Sequence, residues 1–405
     1  MCIRDRQTRW RRDRSLVRYY IHDLIPDPFN RQVLLSIIAV ISVYGLSIGF
    51  IYPLVSLKME ARGYTPFLIG MMGMIPFIAS IITSPLIPLI IRSFNVTHLV
   101  FTAICVDLAM LLLMISFDNI NVWFVSRFVM GIAGTILFVV SETWINEIAE
   151  DRARGRILGL YTLTFSATLG ISPLFIVILG VEGNLPFMVA FAFIALSLIP
   201  LQWTRGSEPD FSGGRASHVL KFIVLAPTLV GAAALMSFEE ASIITLLPVY
   251  SIKSGVSTQW AAMFLTVIAI GSMIAQPFIG SLADRMNRYY LAFACAGVML
   301  VSVISLPFVI NTKIIVWPIL LILGGATAGI YTVALTIMGQ RFRGAQLAAG
   351  NAAFGVMWGV CGAIAPATGG IAMTVWNENG LIVAMVVAIV AFLMLAFVRR
   401  VVTKS

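Results

Sequence analysis

The sequence predicts an all-α integral membrane fold, with twelve transmembrane helices arranged as two pseudo-symmetric six-helix bundles. Three observations carry that expectation. The chain has 405 residues, 60% hydrophobic and only 11% charged, less than half the charged share of soluble domains. Crossing a roughly 30 Å hydrocarbon core takes about 20 apolar residues per helix, so twelve spans would use about 240 residues and leave only short loops. Short strings also recur at matching places in the two halves of the chain. The same figures exclude an ordinary soluble globular protein, a disordered chain, a disulfide scaffold and a nucleic-acid binder, because the net charge of +9 rides on a chain too apolar to be soluble.

The elements follow in order. Residues 1–31 are a basic tail, in which Met1–Arg6 reads like translated adapter sequence and is given no role. Pro26 and Pro28 break this tail, unlike the uninterrupted apolar core of a secretory leader. The first span, 32–57, contains Pro53, with Lys58 five residues on. The second, 67–91, runs into Arg92, and the third, 98–117, holds Asp107 near its middle. The fourth, 122–146, carries Arg127, Gly131, Gly134 and Glu142, and the string Arg152-Ala153-Arg154-Gly155 follows it. The fifth and sixth, 157–180 and 186–202, complete a first bundle over 32–202. Residues 203–221 are the only long hydrophilic stretch, rich in Gly and Ser, and read as a linker.

The seventh span, 222–250, echoes the first, since Pro248 is followed by Lys253 at the same spacing. The eighth and ninth, 259–282 and 289–310, flank a charged turn with Asp284, Arg285 and Arg288. The tenth, 314–339, echoes the fourth: Ala328-Gly329 stands for Ala133-Gly134, and Arg341-Phe342-Arg343-Gly344 follows it. The eleventh and twelfth, 346–374 and 380–398, close a second bundle over 222–398, and 399–405 form a second tail. Two duplicated six-helix bundles joined by a linker are a transporter architecture, with substrate expected near the midplane between the repeats.

Orientation comes from counting charge. With both termini in the cytoplasm, 22 of the 27 Lys and Arg fall on the cytoplasmic side, and only Lys58, Arg62, Lys253 and Lys313 lie outside. That asymmetry is the positive-inside rule and predicts a multi-pass membrane protein with cytoplasmic N and C termini. Cys105, Cys295 and Cys361 sit within spans as small packing residues, and His22, His98 and His218 are scattered, so neither metal nor cofactor is expected.

The turn Gly280-Ser281-Leu282-Ala283-Asp284-Arg285-Met286-Asn287-Arg288 closely resembles motif A of the major facilitator superfamily, departing at Asn287 in place of a Gly. The matching stretch of the first half, Ser84–Asn95, is degenerate and keeps little beyond Arg92. Arg127–Gly134 (RFVMGIAG) is similar to motif B, and Glu147 stands where an acidic residue usually ends that helix. Ser141–Glu147 (SETWINE), and Glu240 seven residues before Leu247-Pro248-Val249-Tyr250, look like a largely uncharacterised branch of bacterial inner-membrane permeases. The drug-antiporter signature of the fifth span is absent, because 165–173 read FSATLGISP. The resemblance implies a gate of Gly280, Asp284, Arg285 and Arg288, with Glu147 as an acidic partner. It leaves the cargo open, since this fold serves many.

Ionisable residues at membrane depth cost free energy and call for a reason. Glu240, ten residues before Tyr250, is about 15 Å in and close to the midplane. A carboxyl there can take up and release a proton as a cavity changes sides, or it can be a hydrogen-bonded structural group. Glu239, 100° around the helix, is expected to pack or pair elsewhere. Arg127 stays ionised at any depth and is expected either to pair with Asp107 or to take part in coupling. Glu142, about 22 Å from Arg127 along the helix, cannot pair with it and belongs to the cytoplasmic third, expected either to look into the inner vestibule as a functional or gating group or to bridge to loop arginines. Tyr44, Tyr161, Tyr331 and Trp358 are candidates for the cavity wall.

These residues support a secondary active transporter moving a small solute by alternating access, with protons, the solute and the lipid bilayer as partners, acting as a monomer. The alternatives are efflux of amphipathic compounds and, from another class, a membrane sensor on a transporter scaffold. An enzyme is not expected, for want of a catalytic constellation.

Overall fold

The computed structural model describes residues 28–148, 154–204 and 219–402. The predicted tail 1–31, most of the linker and the end of the second tail lie largely outside these residues. Among the described residues twelve helical segments are long and apolar enough to cross a membrane. In the first half they are α1 (Gln32–Ala61), α2 (Pro66–Leu86), α3 (Val96–Ser116), α4 (Ile120–Ile145), α5 (Gly159–Leu179) and α6 (Leu185–Thr204). In the second half they are α7 (Pro227–Lys253), α8 (Thr258–Ala283), α9 (Arg288–Val309), α10 (Lys313–Arg341), α11 (Ala349–Val375) and α12 (Gly380–Arg399). Each predicted span has its counterpart, in two six-helix bundles. We call the end of the helices that bears both chain termini the terminal end, and the opposite one the far end.

Proline accounts for where helices break. The seventh span begins at Pro227, five residues later than expected, because a separate helix, Val219–Leu225, precedes it. Ala226, with φ −134° and ψ 57°, is held out of the helical region by the ring that follows it. Pro85 lies in a 3₁₀ turn, Ser84–Leu86, after which the α2 chain continues as Ile87–Ser93. Ser172 and Pro173 interrupt α5 between Ile171 and Leu174. A proline at each place removes a donor from the helical ladder and crowds the preceding turn.

The two halves share a detail finer than their hydropathy. Two residues beyond α1, Gly63 takes φ +76°, and two residues beyond α7, Gly255 takes φ +90°. In both turns the following amide reaches back five residues, Tyr64 N to Met59 O at 3.1 Å and Val256 N to Ser251 O at 2.9 Å. This is the glycine-dependent Schellman ending, placed identically in the two repeats.

Small residues let the bundles meet. A Cβ on Gly70 of α2 would collide with the carbonyl of Pro366 in α11, and one on Gly370 with the carbonyl of Pro66. Gly73 lies against Thr245 of α7, Gly362 against Phe77 and Gly359 against Ile81. On the other flank Gly170 of α5 lies against Ala269 of α8. Close helix approach of this kind replaces the hydrophobic driving force that lipid does not supply.

These contacts are not spread evenly with depth. They begin at the far end, where Phe67 N donates to Thr374 Oγ1 at 2.9 Å and Lys253 pairs with Glu60 at 3.1 Å. They continue only to Ile81 and Gly359, about 22 Å in along the helical rise. Toward the terminal end, Gly280 of α8 and Gly355 of α11 have no atom within 4 Å of where a Cβ would sit. Among the described residues the contacts between the bundles therefore gather toward the far end of the cleft.

Candidate functional site

The sequence-predicted residues separate into three places. The first is the cleft itself. Glu240 lies thirteen residues from Pro227 and thirteen from Lys253, about 20 Å from each end of its helix. It is half-buried, and its Oε2 finds no hydrogen-bonding partner among the described residues. Glu142 is exposed on α4, and both carboxylates lie within electrostatic range of Tyr331 on α10. Tyr331 packs against Phe354 at 5.9 Å between ring centroids. Tyr161 of α5 is also in range of Glu142, and its ring leans on Phe138 at 6.4 Å. Trp358 of α11 is tied to α7 one turn from Glu240, because Ser237 Oγ donates to its carbonyl at 2.7 Å. Residues from both bundles thus line one polar, aromatic-walled region that runs from mid-depth, at Glu240, toward the terminal end, at Glu142 and Tyr161.

Glu239 behaves differently from its neighbour, as the 100° rotation between them requires. It is 0% exposed, and neither of its carboxyl oxygens meets a hydrogen-bonding partner among the described residues. It is enclosed by packed neighbours, the packing alternative of the sequence expectation, and among the described residues it forms no partner pair.

The second place is enclosed within the first bundle, where α1, α3 and α4 bring Tyr44, Tyr52, Asp107 and Arg127 together. Asp107 and Arg127 are buried, at 1% and 3% exposure. Their expected direct pair is corrected by the structure: among the described residues, no ion pair within 4.0 Å joins them. The guanidinium instead lies over the ring of Tyr52 at 4.1 Å, with Asp107 acting at longer range. An aromatic face attracts a cation through its quadrupole, and more strongly where water is absent. The hydroxyl of Tyr44 occupies the space a Cβ at Gly134 would need, so that glycine of the motif B string makes room for the cluster. Tyr52 was missed by sequence reasoning. Its adjacency to Pro53, which the repeat singles out, was the available signal.

The third place is the terminal end. Gly280 and Asp284 lie in the helix Thr258–Arg285, and the Asp284 side chain lies outside the described ones. Arg285 is exposed, Arg288 Nη1 donates to Gln340 Oε1 of α10, and Glu147 is exposed near the end of its helix at Ile148. The side chain of Arg92 also lies outside the described ones. Among the described residues no three His, Cys, Asp or Glu side chains converge as metal ligands.

With this geometry in hand, the comparisons with known proteins can be stated. A family model described as Major Facilitator Superfamily matches residues 35–366. The chain is 24% identical over 361 residues to the uncharacterised MFS-type transporter YfkF of Bacillus subtilis, covering 85% of this chain and 90% of that one. It is 25% identical over 313 residues to the uncharacterised MFS-type transporter YcaD of Escherichia fergusonii, covering 76% and 78%. Among solved structures, a bacterial homologue of the human lysosomal transporter Spinster aligns with a TM-score of 0.71 at 13% identity, covering 91% of this chain and 96% of that chain. The nucleoside transporter NupG aligns with a TM-score of 0.74 at 10% identity, covering 90% and 99%. At such identities the two structures speak for the fold alone.

Proposed function

The chain belongs to the major facilitator superfamily, and from that premise we propose that it is a proton-coupled secondary transporter moving a small solute by alternating access. The observation that carries the reading is the position of Glu240, half-buried midway along α7, the helix whose Thr245 packs on Gly73 of the other bundle. A carboxyl group there meets solute and protons from whichever side the cleft faces. Glu142 of the opposite bundle shares Tyr331 with it, so the charge state of the site bears on both halves at once. Arg127 and Asp107 are assigned a supporting role, bracing α1, α3 and α4 behind the cleft. Tyr161, Tyr331 and Trp358 form its wall, while Tyr44 belongs to the brace.

Charge asymmetry supports a cytoplasmic terminal end, with 22 of 27 Lys and Arg on that side, in a bacterial inner membrane. In that orientation the cleft opens to the cytoplasm. The halves 32–202 and 222–398 then rock about their shared crossings, with the linker 203–221 long enough to follow. Gly280, Asp284, Arg285, Arg288 and Glu147 form the contacts that close the cytoplasmic side in the other state, a gate that works by differential contacts between two conformations. One chain supplies the whole cycle.

The test is solute-evoked proton movement in proteoliposomes, read with a pH-sensitive dye across a panel of sugars, amino acids, organic acids and lipophilic cations. Glu240→Gln is expected to abolish the proton movement while leaving solute exchange measurable. Proton movement unchanged in that variant would overturn the assignment.

A further inference from the structure

Away from the central cleft, the far end of the second bundle holds a separate cavity of about 340 Å³. Its walls are the turn Gly255–Ser257, the start of α8 with Trp260 and Phe264, and the start of α10 with Lys313 and Trp317. The aromatic wall is a packed unit: Trp317 lies 5.3 Å from Trp260 and 5.4 Å from Phe264 between ring centroids. Lys313 folds its ammonium over Trp260 at 4.8 Å, and no carboxylate lines the cavity.

The backbone adds to this positive field. Two long helices start at the cavity, and neither preceding residue, Ser257 or Thr312, caps its helix with its side chain. Their first-turn amides carry the positive end of the helix dipole. Asn311 Nδ2 donates to Ser254 O at 2.9 Å, which ties the two turns together. The site therefore brings a lysine, two helix starts and two indole rings together.

Position decides what kind of anion. Trp260 and Trp317 stand two and four residues inside their helices, about 3–6 Å from the ends, the depth at which tryptophans meet lipid headgroups. Beside the cavity, Phe308 is 80% and Ile314 86% exposed, an apolar surface suited to acyl chains. A lone lysine holds a dissolved anion weakly. An anion tethered to the bilayer arrives at high effective concentration.

We infer that this cavity binds the phosphate headgroup of an anionic phospholipid from the leaflet at the far end. The residues that carry it are Lys313, Trp260 and Trp317, and none of them belongs to the central site. Because the turn Gly255–Ser257 follows directly on Lys253, a lipid held there steadies the segment that joins the two bundles at the far end.

The probe is phosphatidylglycerol against phosphatidylcholine of the same acyl chains, with bound lipids counted by native mass spectrometry on protein released from mixed nanodiscs. The wild-type chain is expected to retain one more phosphatidylglycerol than Lys313→Gln, with about a five-fold preference lost, the worth of one lysine near a membrane surface. Lys313 is exposed, so this variant should keep the wild-type melting temperature. Trp260→Phe, which keeps a ring but loses the indole donor, is expected to fall between the two. Equal retention by wild type and Lys313→Gln would overturn the assignment. Displacement of the retained lipid by soluble glycerol phosphate would overturn it too, by showing a site for a free anion.

Discussion

Replacing Lys253 by Gln removes a charge pair that crosses between the bundles at the far end, and its effect on the conformational balance can be worked out. Lys253 Nζ stands 3.1 Å from Glu60 Oε1, with the side chains 33% and 12% exposed. A charged hydrogen bond contributes about 1.5–3 kcal/mol, which we discount to roughly 1–2 kcal/mol because the lysine is one-third open to solvent. That corresponds to about a 5- to 30-fold fall in the ratio of far-closed to far-open molecules. The two single variants should differ. Glu60 Oε2 already has no partner, so Lys253→Gln strands a largely buried carboxylate, whereas Glu60→Gln leaves the lysine a neutral acceptor. Pulsed electron spin resonance between labels at Asn121 and Gln259, exposed at the far ends of opposite bundles, would report the ratio once Cys2, Cys105, Cys295 and Cys361 are replaced. A shift under about two-fold in Lys253→Gln, or a larger one in Glu60→Gln, would refute the reasoning.

Other perturbations follow from the same geometry. Gly70→Ala places a methyl group on the Pro366 carbonyl and is expected to cost about 1–3 kcal/mol, read as a lower melting temperature. Gly280→Ala meets no atom within 4 Å and should leave melting unchanged; Gly280→Leu should also fold but slow transport by obstructing closure of the terminal end, measurable as a reduced exchange rate. Tyr52→Phe keeps the face on which Arg127 rests but loses the hydroxyl that hydrogen-bonds the guanidinium, and should cost less than Tyr52→Ala, which is expected to lose about 1–2 kcal/mol in unfolding experiments, since the buried guanidinium then has no ring either. Ser237→Ala removes the tie to the Trp358 carbonyl and should cost about 1 kcal/mol by the same measurement.

What the sequence made legible was whatever depends on counting along one helix. Span limits followed hydropathy, and the depth of Glu240 followed the rise per residue, although the helix runs on to Lys253 and sets the carboxyl nearer its centre than the distance to Tyr250 implied. The separation of Glu239 from Glu240 was likewise a matter of rotation. The partner of Arg127 was not legible, because the choice between Asp107 and the ring of Tyr52 depends on how α1, α3 and α4 are turned against one another. The break before Pro227 was visible as a residue but not as a boundary, since apolar composition runs straight through it. No local pattern could show that Lys253 reaches Glu60 of the other half, or that the two tryptophans and Lys313 share one cavity.

The repeat-matched lysines have had divergent histories. Lys58 and Lys253 sit five residues beyond matched prolines, and each is followed by a Schellman turn. Lys58 turns inward and donates to the carbonyls of Val181, at 3.1 Å, and Gly183, sealing its own bundle. Lys253 reaches outward to the neighbouring bundle. If the halves descend from one duplicated ancestor, the two copies of a single residue have been given different tasks, one as masonry and the other as a latch. A protein of this design cannot run its two halves as mirror images. Exchanging them by circular permutation should preserve the latch, while restoring the ancestral equivalence of the lysines should abolish it.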